Sequence, residues 1–158
     1  MRRYALLLSL VAVAGCGPAG VRAPRPVYRY INVVDGQLRL GEPFRRFDLA
    51  ERIDDTTYAL RPGTFGGGGT EAITAHTDAR GVLRGLTFVY DGSEPLATKV
   101  RDYTASLGPP AEVRAGGDGA SVHVWQDAET RFELHHAPRG RPPFWSRLTD
   151  RRRAAGAG

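Results

Sequence analysis

The chain has 158 residues, a formal charge of +5 at pH 7 and one cysteine, so an internal disulfide is excluded. A chain of this length forms one domain core rather than two. The positive charge sits largely at the two ends, in Arg2, Arg3 and residues 151–153, and the near-neutral remainder argues against a nucleic-acid-binding domain.

The first segment of the chain is typical of an export signal. Arg2 and Arg3 precede an apolar run over residues 4–14. At ~1.5 Å per residue, a helix of that length covers about half of the ~30 Å hydrocarbon core of a bilayer. The run is therefore too short for a permanent span and favours a cleaved signal peptide over residues 1–15.

The apolar run closes on Val13-Ala14-Gly15-Cys16, which resembles the lipobox of bacterial lipoproteins. The resemblance implies cleavage before Cys16, a diacylglyceryl group on its sulfur and a further acyl chain, such as palmitate, on its amino group. Two or three chains give lasting membrane attachment at ~0.8 kcal/mol per buried methylene. The alternative is an ordinary signal peptide, or a buried N-terminal strand, with an incidental cysteine.

The same resemblance implies an exported location. Gly17 stands where an Asp would favour retention in the inner membrane, so we expect the periplasmic face of the cell outer membrane in a two-membrane organism. In a one-membrane organism the location would be the outer face of the cell membrane. Without Arg2 and Arg3 the formal charge falls from +5 to +3.

Composition divides the rest of the chain into three parts. Residues 16–26 hold the lipidated Cys16 and a flexible spacer rich in Pro, Gly and Ala. Residues 27–150 form a single globular domain. Residues 151–158 form a basic tail with nothing to bury, which we expect to be disordered.

The first half of the domain is predicted to be mostly β. Residues 27–40 indicate a hairpin around Asp35-Gly36, and residues 56–62 indicate a further strand. Between them, Asp48 and Glu51 have capping-box spacing, which predicts a short helix over residues 49–53. Residues 71–77 and 82–90 flank a turn at residues 78–81.

Residues 94–107 give the clearest helix pattern. Its apolar stripe comprises Leu96, Val100, Tyr103 and Leu107. Ser93 is predicted to cap the helix, Pro95 is tolerated in its first turn, and Gly108 ends it.

A second hairpin is predicted to turn at residues 127–130. That register places Trp125 opposite Phe132 and His123 opposite Leu134. The core is predicted to be closed by three later residues, Phe144, Trp145 and Leu148. The fold class is therefore α+β, an antiparallel β-meander with one main helix at about 94–107 packed on one face.

The helix, Leu107-Gly108-Pro109-Pro110 and the strand with Trp125 together resemble small outer-membrane-assembly lipoproteins of the SmpA/OmlA type. They are also similar to a wider group of two-layer exported modules that includes a β-lactamase-inhibitor fold. The resemblance covers about residues 94–136 and implies a binding role. The Gly-Met-Thr turn of that family is absent, and Leu40-Gly41-Glu42-Pro43 stands in its place.

Catalytic patterns are absent from the sequence. It has no G-x-S-x-G turn, no HExxH run and no thiol beyond Cys16. The glycine run at residues 66–69 lacks the Lys of a phosphate loop. We therefore expect neither an enzyme nor a cofactor.

The histidines are the one feature that suggests an alternative function, which is metal binding. His123 and His136 are predicted to be diagonal neighbours on one face, with His76 a candidate third ligand from another strand, whereas His135 points to the opposite face. Strand-surface histidines are the simpler interpretation, so no metal is expected. A small periplasmic metal-binding protein or enzyme using His123 and His136 is the alternative function.

The first hypothesis for function is a non-catalytic, membrane-anchored lipoprotein whose exported domain binds a protein or another cell-envelope component. Tyr28, Tyr30, Tyr58 and Arg29 are the candidate partner-binding residues, because Tyr and Arg are enriched in interfaces. No small-molecule substrate is identified. A carrier of lipid or of a small ligand would need an apolar cavity.

Overall fold

The structure, a computed structural model, describes residues 26–34, 36–65 and 69–152. The signal segment, Cys16, the spacer up to residue 25, Asp35, residues 66–68 and the tail from residue 153 lie outside the described residues. Within the described ranges no helix has the length and apolar character needed to cross a membrane.

The described chain contains ten strands and one α-helix. In chain order they are β1 (Tyr30–Val33), β2 (Gly36–Arg39), β3 (Ala50–Arg52), β4 (Thr57–Leu60), β5 (Thr70–Thr77), β6 (Leu83–Tyr90), α1 (Leu96–Leu107), β7 (Glu112–Ala115), β8 (Ser121–Gln126), β9 (Thr130–His136) and β10 (Phe144–Asp150). The α+β class with a single helix is thus observed. The predicted hairpins at residues 27–40, 71–90 and 121–136 are confirmed.

Eight strands form one antiparallel sheet in the order β3-β4-β5-β6-β10-β9-β8-β7, and β1 pairs with β2 separately. The sheet is two four-stranded meanders joined by β6 and β10, not the single meander that local patterns predict. The helix explains the difference. After β6 it carries the chain to the far edge of the sheet, and the second meander then returns strand by strand to meet β6.

Strand register gives the sheet two unlike faces. One, the core face, carries the fully buried side chains of Leu86, Leu134 and Leu148. The other, the open face, carries half-exposed polar and aromatic side chains such as Glu133 and His135. Trp145 lies on the open face and stacks on His135 with ring centroids 3.6 Å apart. Its predicted place in the core is wrong, because its neighbours Phe144 and Ser146 alternate onto the core face.

The β1–β2 hairpin contributes four of the buried core residues: Val27, Val33, Leu38 and Leu40. Backbone hydrogen bonds hold it in place. The Val34 N–H donates to the Thr64 carbonyl and the Gly41 N–H to the Leu83 carbonyl, both at 2.8 Å. The hairpin is therefore fixed to the first meander at both of its ends.

The β8–β9 turn binds both ends of the described chain. The Val27 N–H donates to Asp127 Oδ2 at 2.8 Å, and Arg29 pairs with Glu129 at 2.6 Å. The Arg151 N–H donates to the Glu129 carbonyl at 2.8 Å. Arg151 and Arg152, which the sequence assigns to the tail, are thus bonded to the domain; Arg152 also donates to the Leu40 carbonyl.

The predicted helix over residues 49–53 is wrong. A 3-10 turn at Phe47–Leu49 leads directly into β3. The side chain of Asp48, which would have capped a helix, instead accepts hydrogen bonds from Arg46 at 3.1 Å. Pairing with β4 then keeps residues 50–52 extended.

The start of α1 also differs from its prediction. Ser93 makes no cap; its N–H donates to the Asp91 carboxylate at 2.9 Å, and Pro95 occupies the N-cap position in an extended conformation. The C-terminal prediction is confirmed, since Gly108 adopts φ +86° and donates its N–H to the Thr104 carbonyl. Such a φ favours glycine.

Candidate functional site

A groove is lined by residues of the β1–β2 hairpin, of the sheet and of helix α1, and we call it the tyrosine groove. It has two halves that share Tyr28 and Thr70. The apolar half, about 320 Å³, is lined mainly by Tyr30, Ile31, Phe65, Ile73 and Phe88. The polar half, about 300 Å³, is lined mainly by Tyr90, Glu94, Lys99, Asp102 and Tyr103.

The rim and the floor of the groove come from different elements. The hairpin supplies Tyr28 and Tyr30, which are 47% and 39% exposed although they belong to the most apolar stretch of the domain's N-terminus. The sheet supplies the floor, where Ile73 and Phe88 are paired across β5 and β6. Large aromatic side chains therefore face solvent at the rim, whereas at the floor Ile73 is buried and Phe88 is partly buried.

A chain of three hydroxyl groups lies beneath the polar half. Tyr90 Oη is 2.6 Å from Ser146 Oγ and 2.8 Å from Tyr103 Oη. Ser146 is fully buried and Tyr90 is nearly so. Each buried hydroxyl thus has a partner, which is what burial of a polar group requires.

Burial raises the pKa of the Tyr90 phenol, although its hydrogen bonds to Ser146 and Tyr103 act in the opposite direction. Burial also raises the pKa of the Tyr103 phenol, and proximity to Tyr90 adds to the shift. Both phenols are neutral at physiological pH. They can donate and accept hydrogen bonds, but they do not offer a phenolate base.

Lys99 is the single lysine of the chain and is only 6% exposed. Its ammonium lies 4.2 Å from the centre of the Tyr90 ring and 2.9 Å from Glu94 Oε2. The Glu94 side chain is about half exposed. Cation and carboxylate together place a paired charge at the wall of the groove, next to the tyrosine hydroxyls.

The structure brings together only two of the four residues that the sequence singled out for partner binding. Tyr28 and Tyr30 lie on the groove. Arg29 points to the β8–β9 turn, where it pairs with Glu129. Tyr58 packs against Phe44, with ring centroids 4.8 Å apart, in a separate aromatic cluster that supports the core.

The candidate metal-binding histidines also do not all lie together. His123 pairs with Leu134 and His136 pairs with Ser121, so both histidines lie on the core face as diagonal neighbours. His76 lies on the open face of β5. Four strand spacings separate β5 from β8, which is about 19 Å at ~4.8 Å per spacing.

Burial lowers the pKa of the His123 imidazole, and the charge of nearby His136 lowers it further. Burial also lowers the pKa of His76. Within the described ranges no cluster of three or more His, Cys, Asp and Glu side chains is arranged to hold a metal ion.

Sequence reasoning missed Lys99, Ser146 and Phe65 as groove residues. The burial of Lys99 has one local signal, since it falls one position from the apolar stripe of α1. Ser146 and Phe65 have none, because their positions depend on contacts between residues far apart in the chain.

Comparison of the chain with protein-family models, with curated proteins and with solved structures gives no match. The assignment of the site therefore depends on its own geometry.

Proposed function

We propose that the protein is a non-catalytic, membrane-anchored lipoprotein whose exported domain binds a cell-envelope protein through the tyrosine groove. The observation that carries the proposal is the pair of half-exposed tyrosines, Tyr28 and Tyr30, above an apolar floor. Tyrosines in this setting are typical of binding hot spots, where an amphipathic ring gives up water at low entropic cost.

The size of the groove favours a protein segment over a free small molecule. Its apolar half, about 320 Å³, lies at the lower end of the ~300–1,000 Å³ range of small-molecule pockets. An inserted apolar side chain fits such a volume. The Glu94 carboxylate, on a side chain that is about half exposed, then offers hydrogen-bond acceptors to the backbone N–H groups of the same segment.

The buried polar groups support binding rather than catalysis. Tyr90, Tyr103 and Ser146 satisfy one another, and Tyr90 and Ser146 are buried. A nucleophile or general base must reach the substrate and have a pKa suited to proton transfer. The raised pKa values of both phenols oppose such a role.

The proposal takes α1 to pack on the core face over the second meander. Its support is the contact of the Tyr103 ring with Trp125 and Phe132, at 5.7 and 4.6 Å between centroids. In addition, Trp125 Nε1 donates to the Gly108 carbonyl at 2.9 Å. With α1 in this position, the groove has a helix for one wall and the hairpin for the other.

The anchor part of the proposal predicts that Cys16→Ser stops lipid attachment and leaves an uncleaved or mislocalised precursor. Fractionation of cells expressing that variant measures this directly. Normal membrane retention of a processed Cys16→Ser protein would refute the anchor.

The binding part is tested by a photo-crosslinking amino acid placed at Tyr30 of the full chain in cells. We expect crosslinks to one defined envelope protein. Val113, which is 55% exposed at the opposite sheet edge, is the matched control position and should give none.

A second variant keeps the experiment specific. Thr70→Trp fills the point where the two halves of the groove meet, on a strand that accepts aromatic residues, and should abolish the Tyr30 crosslink. Thermal unfolding of Thr70→Trp reports whether the domain remains folded. The same crosslinks from Tyr30 and Val113, or an unchanged crosslink in a folded Thr70→Trp, would contradict the proposal.

A further inference from the structure

Three buried polar atoms cluster on the core face of β8 and β9 without a hydrogen-bond partner among the described residues. They are Ser121 Oγ, His123 Nδ1 and His136 Nδ1. A buried polar atom that makes no hydrogen bond costs about 1–3 kcal/mol, so three in one place need a physical reason. A ligand that engages all three would supply one.

Strand register sets their arrangement. Ser121 lies directly opposite His136, and His123 lies two residues further along the same face of β8. Diagonal neighbours of this kind have backbones ~7–8 Å apart, with their Cβ atoms somewhat closer. Two histidine side chains with that separation can each place a ring nitrogen ~2.0–2.1 Å from one shared metal ion.

The two histidines of this site are only partly enclosed, although their Nδ1 atoms are buried. His123 and His136 are half-buried, and Val113, which pairs with His123 at the sheet edge, is exposed. The rings are supported by aromatic neighbours, since His123 stacks against Trp125 and His136 against Phe144.

We propose that His123 and His136 form a two-imidazole site for a late first-row transition-metal ion, with Ser121 Oγ facing the ion or a water bound to it. Imidazole nitrogens suit Cu²⁺, Ni²⁺ and Zn²⁺, whereas Mg²⁺ and Ca²⁺ prefer oxygen ligands. The Irving–Williams order then predicts tighter binding of Cu²⁺ than of Zn²⁺. This site is separate from the tyrosine groove and does not depend on its function.

The four histidines provide their own controls. His135 is the chain neighbour of His136 but lies on the open face, stacked on Trp145. His76 lies on that same open face, on β5, which is three strand spacings from β9 and four from β8. Loss of either control histidine removes an imidazole from the protein without touching the proposed site.

The test is calorimetric titration of the full chain, purified in detergent without a histidine tag, with CuCl₂, ZnCl₂ and MgCl₂. We expect one Cu²⁺ or Zn²⁺ per chain and no Mg²⁺ binding. Each of His123→Ala and His136→Ala should weaken binding by about tenfold or more, and His135→Ala and His76→Ala should leave it unchanged.

Thermal melts without metal report folding of each variant, and His123→Asn and His136→Asn replace any alanine variant that fails to fold. Added Zn²⁺ should raise the melting temperature of the unmodified chain and not that of His123→Asn. Absence of stoichiometric binding, or equal loss with the control histidines, would overturn the site.

Discussion

The backbone N–H of Val27 donates to the carboxylate of Asp127 at 2.8 Å, across one hundred residues of sequence. The same carboxylate accepts the N–H groups of Glu129 and Thr130 at 2.8 and 2.7 Å. One side chain thus closes the β8–β9 turn and fixes Val27, near the start of the described chain.

Asp127→Ala should therefore destabilise the domain by about 1–3 kcal/mol, because it leaves three backbone donors without their acceptor. Urea unfolding at pH 7 measures the loss. Asp55→Ala is the matched control; that side chain is almost fully exposed and its removal should change stability by less than about 0.5 kcal/mol. Equal effects of the two substitutions would contradict the role of Asp127.

The same contact predicts a pH dependence. Burial alone would raise the pKa of Asp127, but the backbone donors of Glu129, Val27 and Thr130 outweigh it and hold the pKa below its ordinary value. A lowered folded-state pKa stabilises the domain above the unfolded-state pKa of about 3.9. The stability difference between the unmodified chain and Asp127→Ala should therefore shrink as the pH falls below about 4, and a pH-independent difference would rule this out.

The hydroxyl chain under the groove predicts an asymmetry between two tyrosines. Tyr90→Phe removes the partner of the fully buried Ser146 hydroxyl and should cost about 1–3 kcal/mol. Tyr103→Phe leaves the Tyr90–Ser146 bond in place and should cost about 0.5–1.5 kcal/mol. Urea unfolding compares the two variants. A larger loss of stability for Tyr103→Phe would show that the three hydroxyl groups are connected differently.

Alkaline pH should weaken the fold through the same pair. Burial raises the pKa of Tyr90 and Tyr103 in the folded protein, so the stabilisation is complete below the unfolded-state pKa of about 10 and is lost as the pH rises above it. Ultraviolet titration of tyrosinate should show two phenols that ionise late or only on unfolding. The Tyr90→Phe, Tyr103→Phe double variant should lack them.

Turn chemistry and strand alternation predict much of the local structure. Asp127 and Thr130 close a tight turn, with the Asp127 N–H donating to the Thr130 carbonyl at 2.9 Å. That turn fixes the register, and Trp125 does lie opposite Phe132 as predicted. The apolar spacing that ends at Leu107 likewise predicts the extent of α1.

Long-range pairing is what the sequence does not show. Nothing local indicates that β10 pairs with β6, so Ser146 and Tyr90 could not be brought together in advance. Competing short-range hydrogen bonds explain why the two predicted helix caps are wrong. The Ser93 N–H donates to the Asp91 carboxylate, and the Asp48 carboxylate accepts from Arg46. The tyrosine groove depends on long-range strand pairing as well as on local patterns. For that reason the sequence could predict only Tyr28 and Tyr30 as residues of the groove.

The single lysine gives a chemical test of the groove wall. Lys99 is buried and paired with Glu94, so an amine-reactive ester should acylate it at least about tenfold more slowly in the native protein than in urea. Peptide mass mapping locates the label, and Lys99→Arg supplies the control without that amine. Native labelling as fast as that of the unfolded chain would show an open Lys99.

Intact mass spectrometry of the protein extracted from membranes tests most directly whether Cys16 attaches the domain to a membrane. We expect a chain that begins at Cys16 and carries the added mass of two or three acyl chains. A free thiol at Cys16, or a mature N-terminus beyond it, would contradict this attachment.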